Sequence, residues 1–345
     1  MGCLFSRGND QDGSKEEEQP KVYSWDKKDR PDPKDFTIAE LKGETVGRLP
    51  GTVNGQQFII NNCQDCNIYI FDHSASVTID DCIGCKIFIG PSKGSVFLRD
   101  CSQCKAVIAC QQFRSRDCKG IDIMLYCDTQ PIIESTTKIR FGCFHYFYPE
   151  LKDQFASSGL SAYNNNWSNI HDFSPVPGEE NWSLIPEEVT VADILPNPDT
   201  ENFSQMKIST ETSDSVVPLT HGKRRRIADE FCLILFFHKD NVDETMKKFI
   251  LNLKNEESIL LESKQLQIHY EDISRIFGEL PYLKEVAKAG PVTALQFNGK
   301  DVVQKCQAFV KDLGTEVPTY VSSDPERAKK DIENWKNFVE AQFSM

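Results

Sequence analysis

The feature that most narrows what this chain can fold into is an internal repeat. Phe58-Ile-Ile-Asn-Asn-Cys63-Gln-Asp-Cys66, Val77-Thr-Ile-Asp-Asp-Cys82-Ile-Gly-Cys85, Val96-Phe-Leu-Arg-Asp-Cys101-Ser-Gln-Cys104 and Phe113-Arg-Ser-Arg-Asp-Cys118-Lys-Gly-Ile121 align residue for residue, with the first cysteines 19, 19 and 17 residues apart. Each unit runs on into a second apolar stretch: Ile68 to Phe71, Ile87 to Ile89, Val107 to Ala109 and Ile123 to Leu125. Units of this length, made of short β-runs without helical spacing, cannot each bury an apolar face alone. They are expected to stack as the coils of a β-helix.

Ten of the thirteen cysteines lie between Cys63 and Cys143. Paired C-x-x-C motifs at such spacing are also a zinc signature. Zinc needs four converging ligands, whereas here three pairs recur at equal pitch and Ile121 takes the place of a cysteine in the fourth unit. A position that accepts Cys or Ile is a small apolar one, so the preferred reading is a ladder of buried thiols with no metal.

Alternation along a strand then assigns faces. Phe58 and Ile60, Val77 and Ile79, and Val96 and Leu98 point inward; Ile59, Thr78, Phe97 and, in the fourth coil, Arg114 and Arg116 point outward. The same alignment sets Gln111 and Gln112 one coil beyond Gly94 and Ser95. These four residues and Arg114 should form one exterior patch, fit for a phosphate-bearing partner. On register alone, the favoured reading is that the two arginines merely keep a solvated strand face soluble.

The ends read differently. Met1-Gly2-Cys3-Leu4-Phe5-Ser6 fits N-myristoylation at Gly2, with Cys3 as a palmitoylation site. Two lipids hold a protein at a membrane where one would not. Residues 1–33 are expected to be an acylated flexible segment. A net charge of −13 argues against nucleic-acid partners. With no apolar run long enough to span a bilayer, the body is expected in the cytosol, on the cytoplasmic face of the plasma membrane. Residues 34–220 are assigned to the β-helix and its flanking cap, residues 221–230 to a solvated basic linker. Residues 231–345 are assigned to a smaller α/β domain: a buried strand Phe231 to Phe237, a helix after Asp240 as cap, a strand Val292 to Phe297, a helix Asp301 to Leu313, and a last helix opening at Asp324 and Pro325.

The run Ala109-Cys110-Gln111-Gln112-Phe113-Arg114-Ser115-Arg116-Asp117-Cys118, with Gly47-Arg-Leu-Pro-Gly51, Asn67-Ile-Tyr-Ile-Phe-Asp72-His73 and Trp167-Ser-Asn-Ile-His171-Asp-Phe173, resembles the tubulin cofactor C family. The resemblance implies a right-handed parallel β-helix and, for the C-terminal region, a ferredoxin-like fold similar to nucleoside diphosphate kinase. No phosphate-accepting histidine stands in a suitable context there, so that domain is expected to be non-catalytic. The resemblance further implies a GTPase-activating protein that acts on an Arf-like small GTPase in its GTP-bound state and supports traffic of lipidated proteins to the cilium and ciliary base. Arg114 would be the arginine finger and Gln111 its helper; Gly94, Ser95, Gln112, Phe113, Glu134 and Phe173 would contact the nucleotide or the GTPase. The chain would have no cofactor and no turnover of its own, since GTP and Mg2+ belong to the partner. A tubulin-folding cofactor is the alternative.

Overall fold

The computed structural model describes residues 32–343 apart from 199, 225 and 314–316. Gly2 and Cys3, and almost all of the expected flexible segment, lie outside the described residues. The described residues from Phe36 onward form one compact unit.

The chain from Thr37 onward winds as a parallel solenoid. One wall stacks β1 (Thr37–Ala39), β3 (Phe58–Asn61), β5 (Val77–Asp80), the second half of β6 (Lys86–Arg99), the second half of β7 (Lys105–Arg116), β9 (Ile132–Glu134) and β11 (His171–Asp172). The other wall stacks β2 (Thr45–Arg48), β4 (Asn67–Ile70), the first halves of β6 and β7, β8 (Lys119–Cys127), β10 (Thr137–Cys143) and β12 (Trp182–Leu184). All these pairs are parallel, as the repeat requires. The register follows the alignment of the units: Val77 lies opposite Val96, and Phe97 opposite Arg114.

The chain passes from the first wall to the second through two left-handed residues three positions apart. These are Asn62 and Asp65, Asp81 and Gly84, Asp100 and Gln103, and Asp117 and Gly120. Asn, Asp and Gly tolerate this conformation best, which explains the Asn or Asp before each first cysteine. The inward residues close a core of Ile, Val, Phe and Cys. Its thiols serve as donors to the backbone: Cys82 Sγ to the carbonyl of Asp80 at 3.3 Å, Cys101 to Arg99 at 3.2 Å, Cys104 to Cys82 at 3.4 Å. Burial pushes the Cys110 and Cys143 thiols up. Among the described residues, no group of three or more His, Cys, Asp or Glu is arranged to hold a metal ion.

The outward side of the second wall is not solvated. Tyr69, Phe71, Phe88 and Tyr126 form a second core under a cover that includes Phe144, Tyr146, Tyr148, α1 (Leu151–Ser157), α2 (Val191–Ile194) and Phe203. Phe144, Tyr146, Tyr148, Phe155 and Phe203, beyond the last repeat, are thus packing, as a solenoid flank needs.

The C-terminal region follows as β13 (Phe231–Phe237), α3 (Val242–Asn255), β14 (Ile259–Leu266), α4 (Tyr270–Phe277), β15 (Val292–Asn298), α5 (Val302–Leu313), β16 (Thr319–Val321) and α6 (Pro325–Phe343). Its antiparallel sheet has the order β14-β15-β13-β16, the ferredoxin-like arrangement, with apolar clusters on both faces. The cap of α3 is not Asp240 but Asn241, in the left-handed region at φ 63°. The basic segment is also unlike a solvated linker. His221 and Gly222 donate backbone N–H groups to Leu260 and Leu261 at 2.9 and 2.8 Å, and the guanidinium of Arg224 lies over the Trp167 ring at 5.4 Å.

Candidate functional site

Strand β7 changes wall at Cys110, and the next six residues carry the expected site. Alternation sends Phe113 and Ser115 into the core and leaves Arg114 and Arg116 exposed. Phe113 is 0% exposed and meets Phe141 edge-on, with ring centroids 6.0 Å apart. The expectation that it touches a partner is therefore corrected: a residue between two outward ones on a strand must face inward, and its role is packing.

Arg114 occupies an outward row with Thr78, Phe97 and Ile132, one residue per coil. The other outward arginines of the solenoid are ion-paired. Arg99 grips both carboxylate oxygens of Asp80, Arg140 both of Asp122 at 2.7 Å, and Arg116 reaches Asp117 at 3.3 Å. Among the described residues, none makes a hydrogen bond or ion pair with the Arg114 guanidinium. A planar fork of donors thus stands in solvent without an acceptor.

Amides and a glycine flank it. Ser95 lies opposite Gln112, and its hydroxyl donates to Gln112 Oε1 at 3.0 Å. Ser95 therefore orients Gln112. Gln111 is exposed, while its backbone carbonyl accepts from the Thr129 N–H at 2.9 Å and the Thr129 hydroxyl at 3.0 Å. Gly94 has a structural reason of its own: a Cβ there would sit 2.7 Å from the carbonyl oxygen of Ala75 on the preceding coil. A shallow cavity of about 480 Å³ opens here between Ser76, Thr78, Ser95, Phe97, Gln112 and Arg114. Ser76 and Thr78 were not singled out in the sequence, although the repeat alignment already sets Thr78 in the outward row.

The same wall continues past Arg114. Glu134, exposed at the end of β9, lies opposite Arg116. Phe173, just after β11, is 62% exposed and edge-on to His171 with centroids 4.4 Å apart; its N–H donates to the carbonyl of Ile133 at 2.9 Å. Gln111, Gln112, Arg114, Glu134 and Phe173 thus share one wall, with apolar area at one end and the unpaired cation at the other.

Residues 55–173, from the first full repeat to Phe173, match the Tubulin binding cofactor C family. Protein XRP2 of Homo sapiens is 50% identical over 350 residues, with 100% of both chains covered, and Protein XRP2 of Danio rerio is 51% identical over 331 residues, 95% of this chain and 88% of the relative. The chain belongs to the XRP2 family. A more distant relative, Tubulin-specific chaperone C of Homo sapiens, is 29% identical over 154 residues, 44% of either chain. The XRP2 likeness runs through the α/β domain as well, whereas the likeness to the chaperone covers less than half of the chain.

Proposed function

We propose that this XRP2-family protein is a GTPase-activating protein whose Arg114 enters the nucleotide site of a GTP-bound Arf-like small GTPase. The observation that carries the reading is the unpaired guanidinium on a wall where its neighbours are paired. Transfer of the γ-phosphoryl group to water spreads charge over the phosphate oxygens, and a guanidinium supplied in trans offsets it. An arginine already bound to a carboxylate would have to break that pair first. Arg114 has none to break. The outward amides of Gln111 and Gln112 lie within the same segment, where they can orient the attacking water or the phosphate. Glu134 and exposed Phe173 give the wall a charged and an apolar contact for the GTPase surface.

GTP and Mg2+ belong to the partner's site, and the chain has no turnover of its own in this reading. Acylation at Gly2 and Cys3 would keep the reaction at a membrane, at the cell surface and the ciliary base, and would suit a role in carrying lipidated proteins to the cilium. The mass of the N-terminal peptide from eukaryotic cells tests the two lipids; an unmodified peptide would refute them.

Single-turnover GTP hydrolysis by purified Arf-like GTPases tests the activator reading. Arg114→Ala should abolish an acceleration of about 10³- to 10⁵-fold while binding to the GTPase persists. Arg114→Lys should behave nearly the same, because it keeps the charge and loses the fork. Equal loss of binding and rate would sink the assignment. The likeness to Tubulin-specific chaperone C supports a second reading, action on tubulin-bound GTP. The same assay with tubulin dimers in place of the small GTPase separates the two.

A further inference from the structure

The α/β domain plays no part in the reading above, yet a chain of hydrogen bonds joins it to the finger segment. Lys264 on β14 is half-buried, and its Nζ donates to Oδ1 of Asn166, in the cover of the β-helix. The rest of Asn166 is engaged too: its Nδ2 donates to the carbonyl of Asp128 at 2.6 Å and its backbone N–H to the carbonyl of Cys127 at 2.8 Å. Asn164 Nδ2 donates to Asp128 Oδ1 at 2.9 Å, and the Tyr126 hydroxyl to the same oxygen at 3.3 Å. These bonds fix the bend that follows β8. Its next residue, Thr129, makes the two bonds to the Gln111 carbonyl.

That carbonyl stands where the regular ladder fails on both sides. Toward the preceding coil the pairing jumps from Ser92–Cys110 to Ser95–Gln112, so Lys93 and Gly94 together face Gln111. Toward the next coil the last paired residues are Cys110 and Cys127, and the strand ends there. A bulge of this kind re-aims the side chains beside it, and the segment then depends on other bonds for its direction. Thr129 supplies them. Withdrawing a lysine from water is costly unless its donors are used, and this one is spent on the amide that holds the bend.

We propose that Lys264 and Thr129 are positioning residues: Lys264 locks Asn166, Asn166 locks the bend at Asp128, and Thr129 on that bend aims Gln111 and, three residues on, Arg114. The catalytic part of this inference rests on the activator reading; the mechanical part does not. The α/β domain is then the outer support of the finger.

The test uses the full-length protein with Lys264→Met, Thr129→Val and Thr129→Ser. Amide hydrogen exchange should be faster across residues 109–116 and the bend at 127–129 in the Met and Val variants, and also across 164–166 in Lys264→Met, with the rest of the solenoid as in the wild type. With a GTP-loaded Arf-like GTPase, their maximal hydrolysis rate should fall about 3- to 10-fold, the loss of about one net hydrogen bond, at an unchanged half-saturating concentration. Thr129→Ser, which keeps the hydroxyl, should restore both readouts. Unchanged exchange in Lys264→Met overturns the proposal whatever the hydrolysis shows, and so does failure of Thr129→Ser to rescue. Arg114→Ala reports on the finger separately: if it still accelerates hydrolysis the activator reading fails, while the exchange result stands.

Discussion

At the scale of single residues, adjacent positions on β7 do opposite things. Phe113 fills the solenoid and Arg114 faces solvent, so the motif they share mixes packing with chemistry. Phe113→Ala should open a cavity and destabilise the fold by about 3 to 5 kcal/mol, whereas Arg114→Ala should leave stability within about 0.5 kcal/mol. Urea denaturation of the two variants checks this; equal stability losses would mean that the wall is misread. The inward and outward assignment was legible in the sequence because alternation is local. The resemblance that named Phe113 a contact did not separate the residues that touch a partner from those that hold its neighbours in place. Ser95 is a similar case: its pairing with Gln112 depends on a coil-to-coil register that the alignment foretold, but its hydrogen bond depends on side-chain geometry, which alignment does not carry.

At the scale of elements, one coil explains the cysteines. Each unit needs a left-handed residue, a small apolar residue in the corner, and a second left-handed residue, and Asn/Asp-Cys-x-x-Cys supplies that order. The first positive φ angle of each unit is marked in the sequence by the Asn or Asp before its first cysteine. All twelve described cysteines are free and buried. A thiol reagent should therefore leave the twelve described cysteines unlabelled in the native protein and label all twelve in denaturant. A chelator should leave the melting temperature unchanged. A chelator-sensitive transition, or several fast native thiols, would revive the zinc reading.

At the scale of the whole molecule, the solenoid, its cover and the α/β domain meet through groups far apart in the chain. Arg224 stacks on Trp167, Tyr163 packs in the apolar cluster of the α/β sheet, and Lys264 bonds to Asn166, 98 residues away. Burial lowers the Lys264 ammonium from 10.5 to about 8, against the opposing pull of Glu262, Asp128 and Cys127. The unfolded chain keeps this proton up to the ordinary value, so the cost of burying the charge is complete below about pH 8 and fades as the pH rises toward 10.5. The stability of the wild type relative to Lys264→Met should then increase between about pH 7 and about pH 10. Denaturation midpoints at the two pH values check it, and a constant or shrinking gap would contradict it. The coils, their register, the two faces of each strand and the placing of Gln111 and Arg114 on one exterior wall are written in the repeat, because all of these follow from a short period repeated along the chain. Packing between distant parts of the chain set the rest: one outward side is covered by aromatics, the basic segment hydrogen-bonds to a sheet edge, Arg114 alone among the outward arginines of the described solenoid has no hydrogen-bond or ion-pair partner among the described residues, and Thr129 and Lys264 stand behind the Gln111 segment. Those outcomes depend on which distant groups come within hydrogen-bonding distance once the coils are stacked and covered, and no local period encodes that.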